Sequence, residues 1–270
     1  MVKQLASIGA FVVSGDVDEA RGLEVAKSAG ANVQFVRTDV TSYASILALF
    51  DKALSLHGHV DVAISNAGLI EQPGWFDPSI DMDSVRKEPP TAVLDVNLVG
   101  TLYFARIAVV YLRQNSSNGD SKSLILLSSV AGFKESPGLF VYQTTKHGVI
   151  GLMRSLRNYL PQAFHHPRIR VNCVCPWSTD TNMISTFLAE WKKEGLPLNS
   201  AEDVANMILG ISVEESIHGE SIYVEGGRGW MIEQGLDHTR PQWLGESAAS
   251  NLAKGQAFLG SGSKWSRKEE

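Results

Sequence analysis

Tyr142 and Lys146 stand four positions apart in "YQTTK", and Ser129 precedes the tyrosine by thirteen positions. On a helix that spacing raises the phenol and the amine on one face. A phenol with an ordinary pKa of about 10 is a poor base at neutral pH. A neighbouring ammonium favours the phenolate and lowers that value. A serine hydroxyl can meanwhile hold a substrate oxygen while the phenol takes or gives its proton. The three groups together suit oxidation of an alcohol or reduction of a carbonyl. A tyrosine and a lysine at helical spacing also arise by chance. The serine at the end of an apolar run is what strengthens the pair.

Such groups need a scaffold that brings a strand end onto a helix. Short β-branched runs alternate here with longer helical patterns, the texture of βαβ units around a parallel sheet. The expected strands are 10–15, 33–37, 60–65, 123–129, 169–175 and 220–225. Leu124 to Leu127 is apolar at every position, as in a strand covered on both faces. Helical patterns span 41–58 (capped by Thr41 or Ser42 and stopped by Gly58), 91–114, 139–160 ending before Pro161, and 201–212. Residues 2–8 read as the end of a helix. Residues 115–122 read as an exposed loop, and from Gly226 onward the pattern dissolves into Gly, Ser, Trp and charge. The chain therefore divides into one α/β domain over 1–230 and a C-terminal extension over 231–270.

Composition narrows the function classes. The 270 residues are 44% apolar, enough for a substantial core, and the net charge is −5. A negative balance argues against a nucleic-acid or anionic-membrane partner. The sequence shows no run of the roughly 18 apolar residues a membrane span needs, and no basic-then-apolar signal pattern at its start. The expectation is a soluble, cytoplasmic protein. Cys173 and Cys175, two apart on an expected strand, share one face. They could form a disulfide or bind a metal, but there is no other cysteine and no histidine at ligand spacing nearby. Two buried, reduced thiols and no metal site are expected.

Further stretches accompany the Ser–Tyr–Lys trio in a fixed order: "DV" at 39–40, "SNAG" at 65–68, "LDVNLVG" at 94–100 and "RVNCVCPWSTDT" at 170–181. From residue 1 to about 230 the chain resembles the short-chain dehydrogenase/reductase family, more narrowly its fungal, hydroxyprostaglandin-dehydrogenase-like members. The resemblance implies a Rossmann-type doubly wound parallel sheet. It also implies hydride transfer between NAD(P) and a secondary alcohol or ketone. Tyr142 would be the general acid/base, Lys146 would lower its pKa and bind the nicotinamide ribose, and Ser129 would position the substrate oxygen. Asn97 would hold a water linking Lys146 to solvent, unless it merely satisfies a local backbone group. Cofactor contacts would come from Asp16, Asp39, Val40, Asn66, Ala67, Gly68 and Thr181, with Tyr142 and Lys146. Asp16, at the end of an expected strand, suits a ribose diol and repels a 2′-phosphate, which favours NAD while leaving NADP possible; it could equally cap a helix. Trp75, Phe76, Phe133, Trp177 and Phe187 imply a small hydrophobic substrate. Family members usually associate as dimers or tetramers, so a homodimer or homotetramer through 91–114 and 139–160 is expected.

Two departures from the family stand out. Trp177 follows Pro176 where the family commonly has glycine. The family's opening strand and T-G-x-x-x-G-x-G turn are not found, and "VKQLASIG" matches only the end of the helix that should follow them. The expected sheet is N-terminally incomplete, with either a gap between 10–15 and 60–65 or direct pairing of the two. Three readings follow. The enzyme lacks an N-terminal piece through a misplaced start or missed exon; or the chain is a non-catalytic remnant or binding partner without a phosphate-binding loop; or it is a cofactor-independent isomerase or dehydratase.

Overall fold

The computed structural model describes residues 1–260 and 262, apart from 118 and 166. Its strands are β1 (Val12–Asp16), β2 (Val33–Arg37), β3 (Val62–Ser65), β4 (Ser121–Leu127), β5 (Arg168–Pro176), β6 (Ser221–Glu225) and β7 (Arg228–Met231). They form two sheets. β1 and β2 pair in parallel, while the second sheet runs β3-β4-β5-β6-β7, parallel except for β7.

The helices are α1 (Val2–Ser7), α2 (Glu19–Ala29), α3 (Tyr43–His57), α4 (Ala92–Leu94), α5 (Gly100–Tyr111), α6 (Phe140–Ala163), α7 (Leu188–Lys193), α8 (Ala201–Val213), α9 (Ile232–Leu244) and α10 (Glu246–Leu259). Local chemistry sets several ends. The Ser42 hydroxyl caps α3 by accepting from the Ser45 N–H, and Gly58 stops it in a left-handed conformation at φ 75°. Ser200 and Asp203 close a capping box on α8.

The expected gap is present. The Val12 N–H donates to Asn32 O, and the Thr38 N–H donates to Asp16 O, each at 2.8 Å. Val12, Ser14 and Asp16 therefore face β2, and Val13 and Gly15 turn their backbone groups to the other edge. On β3 the Asp61 carbonyl accepts from the Ser123 N–H at 2.9 Å, which leaves Val62 and Ile64 facing away from β4. Among the described residues no strand pairs with either edge. The two sheets are joined instead through helices. Ile46 and Phe50 of α3 share one core with Ala63 of β3 and Phe104, Ala105 and Ala108 of α5. α1 is tied to α8 by the Gln4 side chain, which donates to Asn206 Oδ1 at 2.8 Å.

Four sequence expectations need correction. The helix at 139–160 does not stop before Pro161 but continues to Ala163. Proline has no N–H for the Arg157 carbonyl four residues back. His218 supplies the missing donor, its Nε2 lying 2.9 Å from Arg157 O while its Nδ1 accepts from the Val171 N–H at 3.2 Å. The helix at 91–114 ends at Tyr111, and a π-helical turn over Asp95–Val99 separates α4 from α5. That helical run, Ala92–Tyr111, is also long and apolar enough to match a membrane span by composition, with a mean hydropathy of 1.6. Phe104, Ala105, Ile107 and Ala108 from it are buried in the core of the domain. Lastly, residues 226–260 are ordered. Gly226 (φ 53°) and Gly227 (φ 75°) make a two-residue turn with both residues left-handed, the geometry that joins β6 to β7 as a hairpin. α9 and α10 follow, and Glu233 on α9 is gripped by Arg154 Nε at 2.9 Å. Cys173 and Cys175 are free and buried, as expected.

The His218 bridge yields a prediction. Burial pushes the pKa of His218 down, so the folded state holds it neutral. Its contribution to stability is complete above the ordinary histidine value of about 6.5 and is lost as the pH falls below it. His218→Ala should lower stability by about 2 kcal/mol at neutral pH through two lost hydrogen bonds. It should also flatten the acid side of the stability curve. Urea unfolding across that pH range measures both effects.

Candidate active site

The site forms where β4 ends against α6. The Ser128 N–H donates to Val174 O at 2.8 Å, holding the chain on the sheet for one more residue. Ser129 then turns it away. Its hydroxyl accepts from the Ala131 N–H at 3.2 Å, capping a short 3-10 turn over Val130–Gly132, and stands 3.5 Å from Pro176 O. That turn lies directly on α6. A Cβ on Gly132 would come within 2.3 Å of Ser128 Oγ and 2.8 Å of Lys146 O, so only glycine fits. Ser128 completes the seam by donating to Lys146 O at 2.8 Å.

Tyr142 and Lys146 rise together from α6, 7% and 5% exposed respectively. The Lys146 ammonium donates to Leu127 O at 3.1 Å and sits 5.4 Å from the centre of the Tyr142 ring. Burial disfavours its charge and brings its pKa down to about 8, with the thiols of Cys173 and Cys175 below it working the other way. The tyrosine departs from expectation. Its pKa is raised, because burial penalises the phenolate; a hydrogen bond with the Ser129 side chain pulls it partly back, and Cys175 adds a small upward push. Desolvation outweighs the Ser129 hydrogen bond, a balance that the spacing alone could not reveal.

Asn97 occupies the π-turn and is fully engaged. Its Oδ1 accepts from the Leu69 N–H at 2.7 Å, and its Nδ2 donates to Leu69 O at 2.8 Å and faces Thr145 Oγ1 at 3.4 Å. This double clamp fixes the turn after β3. A Cβ on Gly68 would lie 3.6 Å from Lys146 Nζ, so the Asn66–Gly68 turn passes beside the ammonium. Ser129, Tyr142, Lys146, Asn97 and Gly68 thus converge.

The model of the family described as "short chain dehydrogenase" matches residues 1–191. The chain belongs to the short-chain dehydrogenase family. Among its relatives, the short-chain dehydrogenase/reductase prx4 of Penicillium rubens is 33% identical, over 84% of this chain and 71% of that protein. The 5'-hydroxyaverantin dehydrogenase of Dothistroma septosporum is 28% identical, over 83% of this chain and 78% of the relative. Among solved structures, the 3-ketoacyl-(acyl-carrier-protein) reductase of Brucella melitensis, complexed with NADH, superposes with a TM-score of 0.72 at 25% identity. It covers 84% of this chain and 91% of the reductase. The mostly parallel sheet flanked by helices is accordingly a Rossmann-type α/β fold.

The other residues singled out in this short-chain dehydrogenase lie around the cluster or across the gap. Asp16 is exposed at the end of β1, its Oδ1 accepting from the Asp18 N–H at 3.0 Å. Asp39 takes the Thr41 N–H at 2.9 Å and hydroxyl at 2.7 Å, and these bonds hold its carboxyl below the usual range. Val40 lies against the start of α5, where a Cβ on Gly100 would come within 2.9 Å of Val40 O. Thr181 is exposed and donates to Thr179 O at 3.2 Å. Trp177 neither points freely outward nor stands alone. It packs edge-on to Trp191 at 5.5 Å and tilted against Tyr223 at 6.0 Å, joining a band that includes Phe133. Trp191 and Tyr223 carry no sequence pattern that marks them. Tyr223 reaches Trp177 only when β6 is laid beside β5, and Trp191 arrives from α7.

Because Gly132 carries the seam between Ser129 and Lys146, Gly132→Ala should cost about 1–3 kcal/mol through overpacking. Thermal unfolding measures the loss. A variant as stable as the parent would contradict the close approach.

Proposed function

We propose that this NAD(P)-dependent oxidoreductase acts on a small hydrophobic secondary alcohol or ketone, with Tyr142 as its general acid/base and NAD preferred to NADP. The observation that supports this most is the dry contact of Ser129, Tyr142 and Lys146 at one strand end. In the reducing direction, the carbonyl oxygen of the substrate accepts a hydrogen bond from Ser129 and a proton from the Tyr142 phenol. With its pKa raised by burial, that phenol is protonated at neutral pH and suited to the acid role. The Lys146 ammonium, fixed by Leu127 O, steadies the phenolate that remains. In the oxidising direction the same groups work in reverse.

A bound nicotinamide dinucleotide supplies the hydride exchanged with the substrate carbon. The chain's residues fit the two ends of such a group. Lys146 and Tyr142 lie beside the Asn66–Gly68 turn at one end, and the exposed Asp16 carboxylate offers two acceptors for a ribose diol at the other. The middle does not fit. Among the described residues no glycine-rich turn opens a helix toward the gap between β1 and β3, so the pyrophosphate has no amide cradle there.

The hydrophobic substrate class rests on the aromatic band beside Ser129 and on the relatives. Their names include a 5'-hydroxyaverantin dehydrogenase and a (+)-borneol dehydrogenase. The test is to follow NADH and NADPH absorbance with purified chain and a panel of cyclic ketones and alcohols. Turnover should appear with NADH before NADPH, and Tyr142→Phe should reduce it by a factor of about 100 or more. Turnover that survives Tyr142→Phe would rule out the proposed acid/base. Absence of both binding and turnover in the parent would rule out the proposed activity.

A further inference from the structure

Nothing in the chemistry above uses Glu71, two residues beyond the Leu69 that Asn97 clamps. Its Oε2 accepts the backbone N–H of Tyr142 at 2.7 Å. That N–H belongs to the first turn of α6 and has no partner within the helix. The usual remedy is a capping side chain just before the helix, but Leu139 holds that position and offers none. The donor is satisfied instead by a residue 71 positions away. A carboxylate also suits the positive end of a helix of 24 residues.

The surroundings are apolar. Val93, Ala131, Val141 and Tyr142 form a small core there, with Leu69, Trp75 and Leu139 packed against it. The second carboxylate oxygen, Oε1, is shut off from solvent and has no hydrogen-bond partner among the described residues. A group kept only to fill space would not carry that unpaired oxygen, and a cap alone could have been local. The bonds instead close a ring. Asn97 grips Leu69 through both backbone groups, and Glu71 grips the Tyr142 N–H. Thr145 donates to Tyr142 O at 2.7 Å, and Asn97 Nδ2 returns to Thr145 at 3.4 Å.

We propose that Glu71 is a positioning residue for Tyr142: it locks the first turn of α6 to the loop after β3 and so fixes where the phenol stands relative to Ser129. The inference rests on the proposed role of Tyr142, and it adds a residue whose effect on the reaction passes entirely through the tyrosine backbone.

The test uses the full chain as Glu71→Ala, Glu71→Gln and Glu71→Asp, with two readouts. The first needs neither cofactor nor substrate: amide hydrogen exchange at Tyr142, followed by NMR. Exchange should be about tenfold faster or more in Glu71→Ala and in the shorter Glu71→Asp, and close to the parent in Glu71→Gln, whose amide oxygen can still accept. The second is steady-state kinetics. Glu71→Ala should lose about tenfold or more in kcat with KM changed less than about twofold, and Gln should restore most of it. If Ala does not fold, Asp carries the comparison. Unchanged exchange in Ala and Asp overturns the inference. Faster exchange with an unchanged kcat also overturns it, since Glu71 is then a cap and nothing more. A parent chain without turnover overturns the proposed activity, and the exchange result then decides alone whether Glu71 holds Tyr142.

Discussion

A lysine ammonium held almost out of water is the constraint around which this structure is arranged. A charge buried without partners is costly, and it either finds acceptors or gives up its proton. Lys146 does some of each. It reaches Leu127 O, an acceptor available because β4 has just ended, and its pKa falls to about 8. Gly132 lets the Ser129 turn lie on α6, the turn after β3 passes beside the amine at Gly68, and the thiols of Cys173 and Cys175 favour its charge. Ser128 reaches across to Lys146 O, so strand, turn and helix are joined at the residue that bears the charge.

The same arrangement explains the state of Tyr142. Removing the phenol from water favours its neutral form more strongly than the Ser129 hydrogen bond favours the anion. The phenol is therefore held in its neutral form. The edge of the fold that carries Asp16 and Asp39 is held differently. Asp16 and Asp39 belong to or follow a two-stranded sheet whose outer edge, at Val13 and Gly15, meets no strand among the described residues. That unit is held to the rest through α3 packing on α5. The Ser129–Tyr142–Lys146 cluster and the Asp16 end are therefore positioned by different forces, one by a strand end and the other by helix packing.

Much of this was legible in the sequence because the decisive groups are local. Tyr142 and Lys146 share a helix face by spacing, and Ser129 follows an uninterrupted apolar strand. The split between β1 and β3 could be expected because a strand and a glycine turn of the family were not found. What escaped prediction is non-local. Pro161 ends a helix on its own, yet here it does not, because His218 arrives from 57 positions away to take the orphaned carbonyl. The paired glycines at 226–227 show themselves as a hairpin turn only once β6 and β7 flank them. The direction of the Tyr142 shift depends on burial, and Glu71 lies in a loop whose composition does not mark it as a cap for a distant helix.

The ionisation of Lys146 tests the central claim most directly. Titration of the chain carrying 13C- and 15N-labelled lysine, followed by NMR with Lys146→Met to assign the signal, should show one amine losing its proton at about 8. A Lys146 midpoint at the ordinary value of 10.5 would mean that the amine is solvated, and that the dry Ser129–Tyr142–Lys146 contact does not exist in solution.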